Sequence, residues 1–435
     1  VEAHHPVLVS ATARVRGARG NQLAAAGGFD PKLGAKGQLT PEGFYDVDAL
    51  DAKLVQPTPV YGLEMFGGYR VGRGNFATYD ERETLDGGEI KGGIRLPVLQ
   101  DGWIDQRRAD LRTADLGLEE AEARRNLEAL ALPVQAGGAY FSWVAAGEAY
   151  RVAVRLVRLA ERRTAQIDTM VDAGAAPQIY RAENLRSLLK RRAKLVESRR
   201  KLEKTAIKLS LFYRGEDGEP ERPPFSALPE RVPMGERLPE AELGAGLSRA
   251  LEGRPIVAAL RAKLAALEVK SELANNRVLP RLDLELAVSK DLGADPSDKT
   301  LEALDPLSIK AGLAMEFPLL LRKGRGKALE AESKVAATAA KLRFTRDKLR
   351  TEIQDLWSAL RASARRAKVA DLAADTAEAV AAGERARLAA GATSPFILNL
   401  REQAAADARL DEIEARATLR ITLTAWRMLT LTPAP

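Results

Sequence analysis

Residues 277–290 read RVLPRLDLELAVSK, and from Leu282 the apolar Leu282, Leu284, Leu286 and Val288 alternate with Asp283, Glu285 and Ala287. A period of two belongs to a strand whose two faces meet different surroundings. Around it the chain reads as long helix, rich in Ala, Leu, Arg and Glu. The fold therefore turns on why a helical chain contains isolated, two-faced strands.

Further stretches carry the same signature. Ile309, Ala311, Leu313, Met315 and Phe317 alternate with Lys310, Gly312, Ala314 and Glu316. Earlier in the chain, Ile90, Gly92, Ile94 and Leu96 alternate with Lys91 and Arg95, and Leu33, Ala35, Gly37 and Leu39 supply a partner. Between these lies an insertion, Tyr45 to Thr84, with alternations at Leu50, Ala52 and Leu54 and again at Tyr61, Leu63, Met65, Gly67, Tyr69 and Val71. Such strands fit a half-exposed sheet on a soluble core. They fit equally a barrel with lipid outside and water inside. No second sheet or apolar helix in the sequence offers to cover the apolar faces, which favours lipid.

The chain is written twice. HPVLVSATARVRGARGNQLAAAGGFDPKLGAKG resembles RPIVAALRAKLAALEVKSELANNRVLPRLDLEL, with Pro6 matching Pro255 and Pro31 matching Pro280 at an offset of 249. IRLPVLQDG around Pro97 matches MEFPLLLRKG around Pro318 at 221, and DAGAAPQIY around Gly174 matches AAGATSPFIL around Gly391 at 217. The spacing predicts a first repeat over 1–213, with strands within 32–96 and a helical hairpin over 98–213, and a second over 254–435, with strands over 281–317 and a hairpin over 319–430. Between them 214–253, rich in Pro, Glu and Gly at its start, reads as a linker or surface excursion ending in a short helix.

Helix is expected from Leu99 to Val171, kinked or unwound near Pro133 and Gly137-Gly138. Such a run would extend on the order of 100 Å. Leu188, Leu195, Leu202 and Leu209 recur every seven residues, a coiled-coil seam. Leu410, Ile413 and Ala417, and Val369, Leu372 and Thr376, repeat it with smaller residues.

Composition narrows the classes. Of 435 residues, 5% are aromatic and 29% charged, which suits long helices packed through small side chains. The net charge of +7 suggests attraction to anions, yet no stacking aromatics interleave with the basic residues as nucleic-acid binding would want. An anionic membrane or an acidic partner explains the charge as well. Cysteine is absent, which removes thiolate metal sites and Cys catalysis and leaves an oxidising compartment open. No run approaches the roughly 20 apolar residues of a membrane-spanning helix. VEAHHPVLVSA has no basic-then-apolar leader, as at a mature end.

With the repeat established, the chain resembles the outer membrane efflux proteins, the TolC family. The residues carrying this are the His5-Pro6 and Arg254-Pro255 starts before Ala-rich helices; Leu279-Pro280-Arg281-Leu282 opening a strand; the strand-to-helix junctions Leu96-Pro97-Val98-Leu99 and Phe317-Pro318-Leu319-Leu320; Gly391-Ala392-Thr393-Ser394-Pro395 between two helices; and the closing LRITLTAWRMLTL. The resemblance implies a mainly α protein with a membrane β-barrel. Three protomers would share one barrel continuous with a long periplasmic α-helical coiled-coil tunnel. It also implies a Gram-negative outer membrane location, contact with outer-membrane lipid, and partnership with a periplasmic adaptor and an inner-membrane transporter, as in efflux or type I secretion. The channel would be passive, with no cofactor and no catalysis. The family's usual four strands per protomer leave the insertion open: an added hairpin, or an extracellular or plug segment. Its Phe44, Tyr45, Tyr61, Tyr69, Phe76 and Tyr79 would suit an interfacial belt.

The resemblance places the helix-hairpin tips at Gly174, Ala175 and Pro177 and at Gly391, Ala392, Ser394 and Pro395, where they would meet the adaptor. Gly ends one helix and Pro opens the next, which simple turns would also require. Candidate gate residues beside them are Asp172, Tyr180, Arg181, Arg387, Asn399 and Arg401, with Glu183 and Glu402 nearby. Solvated surface charges are the rival reading. The stretch Phe396 to Leu400, where an acidic ring would sit, has no carboxylate, so a cation-binding mouth is not expected and anionic cargo is favoured. His4 and His5 lack further metal ligands and read as a disordered terminus. RSLLKRRAKLVESRRK, 186–201, reads as the solvated face of the Leu188 heptad. The alternative to a duct is a soluble coiled-coil scaffold whose strands form a small covered sheet.

Overall fold

The computed structural model describes residues 5–43, 45–74, 76, 83–235, 238–293 and 307–430. Two compact units emerge, each drawing on both halves of the chain. One comprises Ala13–Ala123 with Ala258–Arg343, the other Val1–Thr12, Arg124–Val257 and Phe344–Pro435.

The first unit carries the strands: β1 Lys32–Thr40, β2 Val47–Pro57, β3 Glu64–Gly74, β4 Glu89–Pro97, β5 Arg281–Asp291 and β6 Ser308–Glu316. They form one antiparallel sheet in the order β1-β2-β3-β4-β5-β6. The insertion thus contributes β2 and β3 to the sheet, between β1 and β4. Phe44 and Tyr79 lie outside the described residues. Tyr61 stands in the β2–β3 turn rather than in a strand, with φ 50°, its hydroxyl donating to the Val98 carbonyl at 3.2 Å. Its ring meets Trp103 edge-on at 5.3 Å, an exposed aromatic that pattern reading passed over. Ile104, Ala109 and Leu273 form a small core where helix ends converge.

Helices α1 (Pro6–Ala26) and α5 (Pro255–Asn276) lead into β1 and β5. Helix α2 runs Gln106–Asp172 and α3 Ile179–Leu209; α6 runs Arg322–Ala389 and α7 Pro395–Thr430. The short α4 is Ala241–Gly253. Helix α2 begins later than expected, because residues 98–105 are taken up by turns. Nor does it unwind at Pro133, which lies inside continuous helix. Gly137 marks a close approach instead: a Cβ there would stand 2.9 Å from Thr424 Cγ2.

In the second unit the Leu188–Leu209 heptad packs as expected, with Leu188, Leu202 and Leu209 buried and Leu195 partly so. Ile413 and Ala417 are buried and Leu410 packs against them. Val369 and Leu372 do not join a seam of this protomer; they are 68% and 70% exposed. The buried stripe of α6 is Ile353, Leu360, Ala367, Ala374 and Ala381, again every seven residues, which the more hydrophobic Val and Leu had masked. Leu coiled at this period packs against a partner seam, and Ala brings the backbones closer.

The 214–253 segment is more than a surface excursion. Val232 is fully buried and its amide donates to Glu148 Oε2 at 3.0 Å. Arg151 donates to the carbonyls of Leu228, Pro229 and Glu230 at 3.2, 2.9 and 2.6 Å. Leu228 fits over Gly147, where any Cβ would collide with it. Satisfying these backbone carbonyls with a guanidinium is what lets a loop lie against helices. His5 likewise is no disordered residue: it is buried and stacks on Phe212 at 6.0 Å, and burial beside Arg214 lowers its pKa. His4 lies outside the described residues. Among the described residues no cluster could hold a metal ion, and no helix is long and apolar enough to cross a membrane.

Candidate functional site

Two regions carry chemistry beyond packing. The first is the sheet. Register fixes which side chains share a face. Leu33 stands opposite Leu54, Leu50 opposite Val71, Tyr69 opposite Ile90, Ile94 opposite Leu286, and Leu284 opposite Leu313. All six strands thus present one continuous apolar face. Much of it stays bare: Leu39, Leu33 and Ile309 are 79%, 77% and 73% exposed, while Val71, Leu96 and Leu284 are half-buried among their neighbours. Patches of this extent on soluble monomers are rare, because each square ångström left in water forgoes about 25 cal/mol.

The opposite face is charged and internally paired. Arg70 meets Glu89 at 2.6 Å, Arg95 meets Glu285 at 2.8 Å, and Lys91 pairs with Asp51. Each pair is cross-strand; Lys53 lies over the Phe66 ring at 4.1 Å from its centroid. Paired opposite charges leave this face hydrated and close to neutral, which suits a water-filled bore and not a buried core.

The second region is the pair of hairpin tips. Gly174 and Gly391 have φ of 67° and 73°, the left-handed conformation in which glycine carries no Cβ penalty. Each closes its helix in the same way. Ala175 N donates to Met170 O at 2.8 Å and Gly174 N to Val171 O at 3.0 Å; Ala392 N donates to Arg387 O at 2.8 Å and Gly391 N to Leu388 O at 3.0 Å. This is the paired-bond helix stop. Pro395 is the first residue of α7, and the Ser394 hydroxyl accepts from the Ile397 amide at 3.4 Å. Pro177 precedes α3 by two residues. Ala175 and Ala392 are exposed, and Ile179, Phe396, Ile397 and Leu400 put apolar surface beside them.

The expected gate residues divide. Arg181 binds Asp168 at 3.0 Å and also Asp172, stapling its own hairpin, and these carboxylates raise its pKa. Arg387 reaches the Ala392 carbonyl at 3.2 Å and Glu384 at 3.5 Å, a helix-end role. Arg401 is exposed. Asn399 alone enters a buried network. Its Oδ1 accepts from Arg163 at 3.0 Å and from Arg191 at 2.6 Å, and its Nδ2 donates to Ser187 at 2.9 Å. Glu402 takes Arg163 at 2.7 Å, with Arg191 at 3.6 Å and Arg385 at 3.7 Å. The network joins α2, α3, α6 and α7. Burial, with the Arg163 charge beside it, pushes the Arg191 guanidinium down, against the pull of Glu402.

Beside the network lies a cavity of about 320 Å³ lined in part by Arg163, Tyr180, Asn184, Arg191, Pro395 and Asn399. Sequence reading missed Arg163 and misplaced Arg191, which sits in a basic stretch otherwise solvated as expected, for instance in Arg192–Glu161 and Arg199–Glu203. A signal was there in principle: Arg191 follows Leu188 by three residues and Asn184 by seven, the buried face of α3.

Residues 246–430 match the family model described as outer membrane efflux protein. No curated protein matches the chain. Among solved structures the fold matches the outer membrane protein VceC of Vibrio cholerae at 16% identity and TM-score 0.67, covering 98% of this chain and 93% of that one. The Neisseria gonorrhoeae MtrE outer membrane channel in its open state gives 14% and 0.67, covering 98% and 86%. The Campylobacter jejuni CmeC outer membrane channel gives 14% and 0.66, covering 98% and 82%.

Proposed function

We propose that this chain, an outer membrane efflux protein by the family its second repeat matches and by the fold of its whole length, is the exit duct of a tripartite export system in a Gram-negative outer membrane. Three copies would pool their sheets into one barrel and their helical hairpins into the periplasmic part. An adaptor and an inner-membrane transporter deliver cargo, and passage through the duct is passive, without catalysis. The chain is then a duplicated unit, residues 1–213 and 254–435 joined by 214–253.

One observation carries this reading: a six-stranded sheet with a bare apolar face, a charged opposite face and two unpaired edges. In hydrocarbon every backbone N–H and C=O must be paired, so strands cross a bilayer only as a closed ring. A coiled-coil scaffold with a covered sheet is not favoured, since among the described residues nothing covers the apolar face.

Gating follows from the tips. Gly174, Ala175, Pro177, Gly391, Ala392 and Ser394 form the adaptor-docking surface, small enough for close helix approach and flanked by apolar Ile179 and Phe396, with Pro395 buried beneath it. Asp172, Tyr180, Arg181, Arg387, Asn399 and Arg401 remain the gate set, with Asn399 acting through Arg163, Arg191 and Glu402. An adaptor opens the duct by binding the open arrangement more tightly than the closed one. The test is extraction and conductance. The protein should need detergent, run as a heat-sensitive trimer, and form a low-conductance pore in a planar bilayer. A monomer stable in plain buffer overturns the proposal.

A further inference from the structure

The two repeats differ by one hairpin, and its length is legible twice. The repeat offset is 249 at Pro31/Pro280 and 221 at Pro97/Pro318, a difference of 28 residues. Hairpin β2–β3, Val47–Gly74, is 28 residues long. Strand β1 therefore corresponds to β5 and β4 to β6: β1 and β5 start at Lys32 and Arg281, directly after the matched prolines Pro31 and Pro280, while β4 ends at Pro97 and β6 two residues before the matched Pro318. The inserted hairpin lies in the middle of the sheet, antiparallel to β1 on one side and to β4 on the other. It continues both faces: Leu50, Leu54, Met65, Tyr69 and Val71 on the apolar side, with Asp48 and Arg73 following at its far end, and Asp51, Lys53, Glu64 and Arg70 on the charged side. A plug or a surface loop would carry no such alternation.

The edges are equally informative. Strands β1 and β6 are each nine residues long, run in opposite directions, and are exposed along almost their whole length. Six strands are too few to close a ring on one chain, since about eight give the smallest filled barrels. Lys32 and Glu316, on the charged face at the same end of the sheet, have no ion-pair partner among the described residues. Setting them opposite each other between copies brings Leu33 against Met315, Ala35 against Leu313, Gly37 against Ala311 and Leu39 against Ile309, apolar on apolar throughout. A one-residue slip would put Leu33 against Ala314 on the charged face and lose this match.

We propose that β1 of each copy pairs antiparallel with β6 of the next in the register Lys32–Glu316, so that three copies close an eighteen-stranded barrel, with β2–β3 acting as a widening module in its wall. The proposal rests on the trimeric duct reading and adds the seam and the bore. Barrel diameter grows roughly linearly with strand number, so the bore is about 1.5-fold that of a ring built from three four-stranded sheets. Sixteen to eighteen strands leave an open aqueous channel. The wall of such a barrel is then wide enough for an open aqueous channel.

The chain has no cysteine, so engineered pairs read cleanly. Lys36→Cys with Gly312→Cys, opposite each other in this register on the watery face, should give a covalent trimer on oxidation that survives boiling without reductant. Lys36→Cys with Ala314→Cys, two residues out of register, should give several-fold less. Lys32→Glu and Glu316→Lys should each lower the temperature at which the trimer dissociates, and the double exchange should restore it. Removing residues 47–74 should leave trimers whose barrel, measured by electron microscopy, is about a third narrower. Trimers that form but link only through the out-of-register pair, or keep their width after the deletion, overturn the seam and the bore while sparing the duct. Absence of any trimer in the unaltered protein would remove the duct reading itself.

Discussion

The sheet and the helical unit are built inside out with respect to each other. In the sheet, apolar side chains such as Leu39 and Ile309 are bare and the charges Arg70, Glu89, Lys91 and Asp51 pair across strands on the opposite face. In the helices, Ile353, Leu360, Ala367 and Ile413 are buried and the bulk of the charge is on the surface. A few charges break that helical rule, and they are held in networks: Glu402 among three arginines near the tips, and the fully buried Glu412 among Arg231, Arg409 and Arg416. On the duct reading proposed above, the difference is that of one chain folded for two solvents, hydrocarbon around the strands and water around the helices. Buried charge in the aqueous part is therefore the place to look for switching.

The sharpest way to break the comparison is at Glu402. Replacing it with Ala leaves Arg163 and Arg191 buried without a carboxylate, which should cost about 3–5 kcal/mol in the helical unit. Denaturant titration in detergent measures this, and a raised resting conductance would show that the network also holds the tip closed. A cost below 1 kcal/mol would reduce it to surface pairing.

Next comes Leu286→Arg, in the middle of the apolar face. It should cost about 2–4 kcal/mol of barrel stability and sharply lower the heat-resistant trimer fraction, whereas Lys91→Arg on the other face should leave it nearly unchanged. Equal effects on the two faces would contradict lipid contact. Ala367→Leu, overpacking the fully buried α6 stripe, should cost about 1–3 kcal/mol without disturbing the barrel.

The smallest expected effect is a pH dependence. Arg416, hydrogen-bonded to Asp371, holds that carboxyl below its ordinary value of 3.8. A depressed pKa contributes stability that is present above the unfolded value and is lost as pH falls through the folded one, so the loss should appear below pH 3.8. Desolvation raises Glu412 above its ordinary 4.5, so its contribution runs the other way and is lost as pH rises from there. Arg416→Gln should return the Asp371 titration toward 3.8, followed by NMR; an unmoved titration would mean the pair is not formed.

What a single sequence determines here is local. Alternation located the strands and both of their faces, though it ran on into the turn at Tyr61 and Leu63 and past the end of β6 at Phe317, because side-chain direction in a strand depends only on residue parity. The offsets between matching prolines suggested a duplication, and glycine followed by proline located both helix stops, because the left-handed helix stop needs no partner. The heptad of α3 was readable for the same reason. Only tertiary structure decided which charges are buried: Arg191 has the same neighbours in sequence as the solvated Arg192, and what separates them is contact with Asn399 and Glu402 more than 200 residues away. The docking of Leu228 and Val232, the choice of Ala367 over Val369 as the packed face of α6, and the place of the inserted hairpin inside the sheet depend likewise on pairings between distant segments, which no local period encodes.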